Sequence, residues 1–447
     1  MSEISGFLTG EQSSQHLAQS LLTFALPLLE SLDEQLDKRL VRTFYLSLLA
    51  ILATQDSKQA LLLSRLGASI TSPHQAPAGT KRIDRLLACD KWNAEVIDDF
   101  LFANAQKLLE QDFRSPPLVL WDESVMEKHE SIKLQGLSPV RSSKAKRLTR
   151  IKPGYYTPPR GPIFVPGYNC LGALLVHGNQ QRFIALKHYG SRMSEPKSFV
   201  QLRREMFAPI ADQWGKQVTH VFDRGYCGDP WLKELCQHEV NWVVRYRGDF
   251  SLSDEKGRRR VWRMMCGRKA LATREQWDNQ RKCHRSISVL YKRVQPRYPK
   301  DFPAGTNWTL VMCRHHKKGK PWYLLTNQEV ESVEEAWRVV DQYAKRWAIE
   351  QLFRQHKSSL GYESARVYSE ERRAKLLGLV HLAWAFLASQ CEDTAKVQAI
   401  LRAWCHRTGK RQRRVTLPFY RLRTSLAMML NRHPPSLPPD GPWQISG

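Results

Sequence analysis

In the stretch YAKRWAIEQLFRQHK, residues 343–357, Tyr343, Arg346, Glu350 and Lys357 stand at steps of three, four and seven. These are helical spacings: at about 100° per residue the four side chains fall within an arc of roughly 60°. Ile349, Leu352, Phe353 and Leu360 fill the neighbouring arc, the expected buried face. One carboxylate beside a phenol and two cations suits work on phosphate, the bases holding phosphate oxygens and spreading developing charge. Taken alone, the stretch reads more readily as a solvated charged face.

Two further acids change that reading. Asp122 follows the apolar run LVLW and Asp223 follows VTHVF. Each run predicts a buried strand, so each aspartate is expected at a strand end, facing a cleft at the edge of a sheet. Singly, such an aspartate is ordinarily a turn or cap residue. Three carboxylates from two strands and a helix make a site suited to Mg²⁺, which takes oxygen ligands and keeps several waters. Two such ions can serve an in-line displacement at phosphorus.

The elements that must position these residues divide the chain into five parts. Residues 1–114 are helical, with LAQSLLTFALPLLESL and LVRTFYLSLLAILAT at helical spacing. The loop ASITSPHQAPAGT follows, and then a long helical stretch that opens at Lys81 and Arg82. This pattern fits a helical DNA-binding module and fits an ordinary helical bundle equally well. Residues 115–249 alternate strands and helices. They include a basic loop from Arg141 to Arg160, a hairpin turning near Gly178 and Asn179, and a helix capped by Asp229 with Pro230 at its first position. Residues 250–328 are β-rich, residues 329–368 return to helix and carry the opening stretch, and residues 369–447 are helical with the basic turn HRTGKRQRRV.

Composition narrows the partners. The 447 residues hold 69 Lys+Arg against 43 Asp+Glu, a formal net charge of +26. Such an excess on a folded chain favours a polyanion. Nine cysteines without a CxxC pair imply reduced thiols, and the spacing of Cys313, His315 and His316 fits no zinc ligand set. No phosphate-binding loop of the GxxxxGK[ST] kind is present. MSEISGF has no signal-peptide character, and GLVHLAWAFLAS from Gly378 is too short for a membrane span, so a cytoplasmic protein with a core or interface helix there is expected.

The pattern Y-x2-R-x3-E-x6-K, filled by Tyr343, Arg346, Glu350 and Lys357, resembles the YREK signature of the insertion-sequence-four transposases. VFDRGY around Asp223 resembles their second-acid region, and LVLWDES around Asp122 their first. The likeness runs on through NWVVRYR and through PWYLLTNQEVESVEEAWRVVDQYAKRW. It covers most of the chain, and only roughly the N-terminal 110 residues and the last 60 or so. The resemblance implies a bacterial DDE transposase acting at the nucleoid. Its fold would be α/β: an RNase H-like mixed sheet flanked by helices, with a β-rich insertion, a helical N-terminal DNA-binding domain and a helical C-terminal dimerisation region.

By the same resemblance Asp122, Asp223 and Glu350 would bind two Mg²⁺ or Mn²⁺ ions. Tyr343, Arg346 and Lys357 would contact phosphates near the transposon end. Arg245 and Arg247 match a basic strand that grips end DNA. Trp322 matches an insertion-domain tryptophan that stabilises a flipped base; Trp308 is its fallback, and a core tryptophan is the plain alternative. The partners would be double-stranded DNA, as transposon ends and target, and a second copy of the chain in a homodimeric synaptic complex. The implied reaction cleaves the element's ends, through a hairpin, and joins them to target DNA. A metal-dependent nuclease of the same fold, without strand transfer, stays open at this point, as does a DNA-binding regulator descended from a transposase.

Overall fold

The computed structural model describes residues 10–113, 115–128, 133–144, 161–278, 283–315, 320–405 and 419–444. Most of the basic segment 141–160, all of HRTGKRQRRV and His316 lie outside the described residues.

Five helices open the chain: α1 Gly10–Asp33, α2 Lys38–Ala53, α3 Leu63–Ile70, α4 Ala76–Ala88 and α5 Glu95–Leu109. The expected loop 68–80 is largely helical. Pro77 sits in the first turn of α4, where its missing N–H is harmless. Lys81 and Arg82 therefore fall inside α4, not at its start. The glycine of that segment serves packing: a Cβ on Gly79 would lie 2.1 Å from the carbonyl oxygen of Gly67, so α3 and α4 cross backbone to backbone. The long stretch beyond breaks between α4 and α5, where the Trp92 indole N–H donates to the carbonyl of Leu86 at 2.8 Å.

Next come β1 Leu118–Glu127, β2 Ser138–Arg141, β3 Phe164–His177, β4 Gln180–Tyr189, α6 Phe199–Trp214, β5 Thr219–Phe222, α7 Asp229–Gln237 and β6 Asn241–Tyr246. Helix α6 starts in a capping box of Ser198 and Gln201. Asp229 is the first residue of α7, and the cap position belongs to Gly228 without a side-chain bond. The segment 250–328 supplies β7 Ser251–Asp254, β8 Gly257–Arg260, the short α8 Val261–Met265, β9 Ala272–Asp278, β10 Cys283–Val294, β11 Trp308–His315 and β12 Trp322–Thr326. The chain ends in α9 Val333–Ala344, α10 Trp347–Ser358, α11 Glu370–Gln390, α12 Thr394–Trp404 and α13 Phe419–Arg432.

Ten strands form one mixed sheet in the order β2-β3-β1-β5-β6-β12-β11-β10-β9, with β4 also on β3. β1 is antiparallel to β3 and parallel to β5, and β5 is parallel to β6. β12 pairs antiparallel with β6, so β9–β12 extend the central sheet, and among the described residues the β7–β8 hairpin stands apart.

Strand alternation assigns the two faces of the sheet. Leu118, Leu120 and Val221 join a core with the terminal helices, α9 and α10. Val119, Trp121 and Phe222 join another with Leu202, Phe207 and Trp214 of α6 and Trp231 of α7. The two terminal helical stretches are one body: α1, α2, α11 and α13 share the first core. The Tyr45 hydroxyl donates to Ala18 at 2.7 Å, and the Arg423 guanidinium donates to the carbonyl of Thr54. The apolar stretch from Gly378 is buried at the centre of that body in α11. Among the described residues no single helix is long and apolar enough to cross a membrane.

Candidate active site

Asp122 does not end its strand. β1 continues five residues further because its pairing with β3 runs unbroken from Leu118↔Val176 to Glu127↔Gly167. Only the apolar run stops at Trp121; beyond it one face of β1 opens toward α10. Asp122, an even-numbered residue like Leu120, points to that face. Its register partner is Gly172, where a Cβ would come 2.9 Å from the Phe353 ring. A bare glycine opposite Asp122 thus lets α10 settle on the sheet and bring Glu350 close. Asp223 follows β5 directly, as its apolar run implies.

The helix of the opening stretch is two helices. α9 ends at Ala344 and α10 begins at Trp347, with Arg346 as its N-cap. Around the junction the bonds tighten from i−4 to i−3: Arg346 N–H to the carbonyl of Tyr343 at 3.0 Å, and Ala348 N–H to that of Lys345 at 2.9 Å. Mid-helix tightening of this kind accompanies functional hinges and strained sequences. Tyr343 consequently belongs to the end of one helix, and Arg346, Glu350 and Lys357 to the start and body of the next.

The junction aims these groups at the acids. One Arg346 nitrogen donates to Asp122 at 2.9 Å, and another donates to Glu350. The Tyr343 hydroxyl donates to Asp223 at 3.1 Å, and Lys357 donates to Ser124, two residues along β1 from Asp122, at 2.7 Å. Arg245, in β6, reaches 3.9 Å from Asp223. Trp322 opens β12, its ring 5.1 Å from that of Tyr343 and edge-on, with the Arg245 guanidinium 6.0 Å from the indole. Eight of the nine residues singled out from the sequence therefore meet at one place. Arg247 does not: it lies past the end of β6, exposed, and pairs with Asp249 at 2.6 Å. Trp308 is a core residue, packed against Trp242 and Phe302.

The electrostatics are those of crowded anions. Burial, reinforced by Asp223 and Glu350, pushes the Asp122 carboxyl up to about 7 against the opposing pull of Arg346 and the Glu123 N–H. Burial disfavours charge on Arg346, yet Asp122, Tyr343, Asp223 and Glu350 together hold it firmly protonated. Burial and then Asp223 push the Tyr343 phenol up to about 12, so it stays a donor. Arg346 lies between Asp122 and Glu350, and among the described residues no three His, Cys, Asp or Glu side chains form a ready metal cage. The donor set is nonetheless that of a hard cation: oxygen-only, anionic and partly desolvated.

Two neighbours escaped the sequence reading. Glu123 faces the other side of β1, where it accepts from the Tyr189 hydroxyl at 3.1 Å. Trp347 is 47% exposed one turn before Glu350, with the Arg354 guanidinium 5.3 Å from its ring. An indole outside the apolar arc of a helical wheel was the available signal for it.

Residues 141–386 match the family model described as the transposase DDE domain. The match spans Asp223, Glu350 and all four residues of the opening pattern, and begins after Asp122. Among solved structures, a similar one is the electron cryo-microscopy structure of a piggyBac transposase synaptic complex with hairpin DNA. It is 15% identical, has a TM-score of 0.40, and the alignment covers 89% of this chain and 73% of that one. No curated protein matches the sequence.

Proposed function

The chain belongs to the DDE transposase family, and on that premise we propose that it is a cut-and-paste transposase of the insertion-sequence-four type. The observation that carries the finer reading is the meeting of Asp122, Asp223 and Glu350 around Arg346 and Tyr343. The strand order β4-β3-β1-β5-β6, antiparallel on one side of β1 and parallel on the other, supports an RNase H-like core. On this reading the helical body formed by both chain termini binds inverted repeats, and two copies hold two ends together at the nucleoid.

Enzymes of this family generally use divalent metal ions. Asp122, Asp223 and Glu350 would hold Mg²⁺ or Mn²⁺, which when bound supplies an activated oxygen nucleophile and stabilises the leaving oxygen. The chain's own residues do the rest. Tyr343 orients Asp223 through its hydroxyl, and Ser124 holds Lys357 beside Asp122. Arg346 and Lys357 offer donors to phosphate oxygens and spread charge that develops there. Trp322, supported edge-on by Tyr343, presents an indole against which an unpaired base can stack. In the proposed sequence, water cuts one strand at the element's end and the freed 3′-hydroxyl attacks the other strand to form a hairpin. After the hairpin is opened by water, the 3′-hydroxyl attacks target DNA.

The test is a purified protein, a plasmid carrying a segment between the DNA sequences that flank the gene on either side, a second target plasmid and Mg²⁺. Denaturing gels should show nicks, hairpin ends and joined products in turn. Cuts without joined products would leave a nuclease in place of a transposase. Cuts that persist in Asp122→Asn, Asp223→Asn and Glu350→Gln would remove the assigned site.

A further inference from the structure

Away from the carboxylates, α2 and α4 enclose a cavity of about 600 Å³, edged by Arg39, Arg42, Arg82 and Arg85 and floored by leucines of α2. Its volume lies in the range of about 300–1,000 Å³ that accommodates small ligands. Arg39 and Arg42 are three residues apart on α2, and Arg82 and Arg85 three apart on α4, so each helix turns a pair of guanidiniums to one side. None of the four is ion-paired with any described residue. The nearby acid of α4, Asp84, is taken by Arg372 at 3.2 Å on another side. Asp37 is the one carboxylate lining the cavity, and it already accepts the Arg39 backbone N–H at 2.7 Å as the cap of α2.

This charge is arranged against the protein's own interest. At the N-terminus of α2 the cap carboxylate of Asp37 is followed in the first turn by Lys38 and Arg39, with no further acid there. Four like charges around one concavity repel each other in the free protein. That repulsion is relieved by an anion seated among them, and guanidinium forks match phosphate oxygens two at a time. Two pairs on two helices provide for successive phosphates along a strand, with no amide or carboxamide side chain lining the cavity to read a base edge.

We propose that the cavity between α2 and α4 is a phosphate-binding site that holds the backbone of duplex DNA without reading its sequence. The anion chemistry rests on the cavity itself; DNA as its source rests on the transposase reading. The site grips DNA in the helical body, apart from the Asp122 cluster, and so supplies affinity and not chemistry.

The experiment compares wild-type protein with Arg42→Gln/Arg85→Gln and Arg42→Lys/Arg85→Lys. Binding to a random-sequence duplex is followed by fluorescence anisotropy without divalent metal, at several salt concentrations. Wild type should bind, and the glutamine pair should bind about tenfold or more weaker, with a salt slope shallower by roughly two. The lysine pair should keep most of that slope. Melting of the free glutamine variant should stay level or rise, because repulsion is removed. Unchanged affinity and slope overturn the proposal. A lowered melting temperature overturns it too, since the arginines would then be structural. Pyrophosphate binding as tightly as the duplex would reassign the cavity to a small anion. Binding through the cavity by a protein that never cleaves would sink the transposase reading alone.

Discussion

Around Asp122 each of these groups has a hydrogen-bond partner within the chain: Arg346 serves Asp122 and Glu350, Tyr343 serves Asp223, and Ser124 holds Lys357. Between α2 and α4 four guanidiniums face a cavity with one spoken-for carboxylate among them. The first region is preorganised by the fold, so a change there should alter rate through geometry. The second waits for charge from outside, so a change there should alter affinity and its salt dependence. On the proposed reading the two regions can thus be told apart by whether their charged groups already have partners within the chain.

The sharpest way to break this contrast is at the acids. Asp122→Asn, Asp223→Asn and Glu350→Gln should each lower strand cleavage on the order of 10³-fold or more, measured in single turnover, with duplex binding held within a few-fold. If binding fell in step with cleavage, the two regions would not be separable. Gly172→Val comes next. It adds bulk where Phe353 already lies too close for a Cβ, so α10 must shift. Cleavage should fall roughly 10²-fold from misplacement of Glu350, while denaturant melts show a loss of about 1–3 kcal/mol from overpacking.

A smaller effect is expected of Tyr343→Phe, which removes the donor to Asp223 and leaves the ring against Trp322. A roughly tenfold loss of cleavage with unchanged salt slope for DNA binding would place Tyr343 with the chemistry.

The subtlest expectation is a pH dependence. The Asp122 carboxyl is raised in the folded state to about 7, against an unfolded value of about 3.9. Between those values the folded protein binds the extra proton, so this group's contribution to stability falls as pH rises through the window. Metal-free wild type, melted in chelator from pH 4.5 to 8, should show that decline, and Asp122→Asn should lack it. Buried neutral histidines act in the opposite sense. His188 and His220 are pushed down to about 3 by burial, so they withdraw stability as pH falls below about 6.5. The readout is therefore the difference between Asp122→Asn and wild type at each pH, in which their contribution cancels.

Much of the candidate site was legible because apolar runs ending in acids, and helical spacing in 343–357, are short-range patterns. What those patterns left out was long-range. That β1 runs on past Asp122 depends on β3, which supplies bonds to a stretch whose apolar character has already ended. That α9 and α10 break at Lys345–Arg346 depends on tightened bonds at a junction facing two carboxylates from distant strands. Glu123 and Trp347 went unnoticed because their significance is only adjacency, and Arg247 was included because a strand's basic pair does not tell where the strand stops.

By itself the sequence determined the chemistry: which residues are acids, which are bases, the positive charge that calls for a polyanion, and the local periods that make strands and helices. Those follow from side-chain type and from spacing within a few residues. Only the tertiary structure decided that Arg346 stands between Asp122 and Glu350, that Gly172 gives α10 its seat, that both termini form one helical body, and that two arginine pairs enclose a cavity. Each of these is a contact between segments far apart in the chain, fixed by the burial of two sheet faces and not by any local preference.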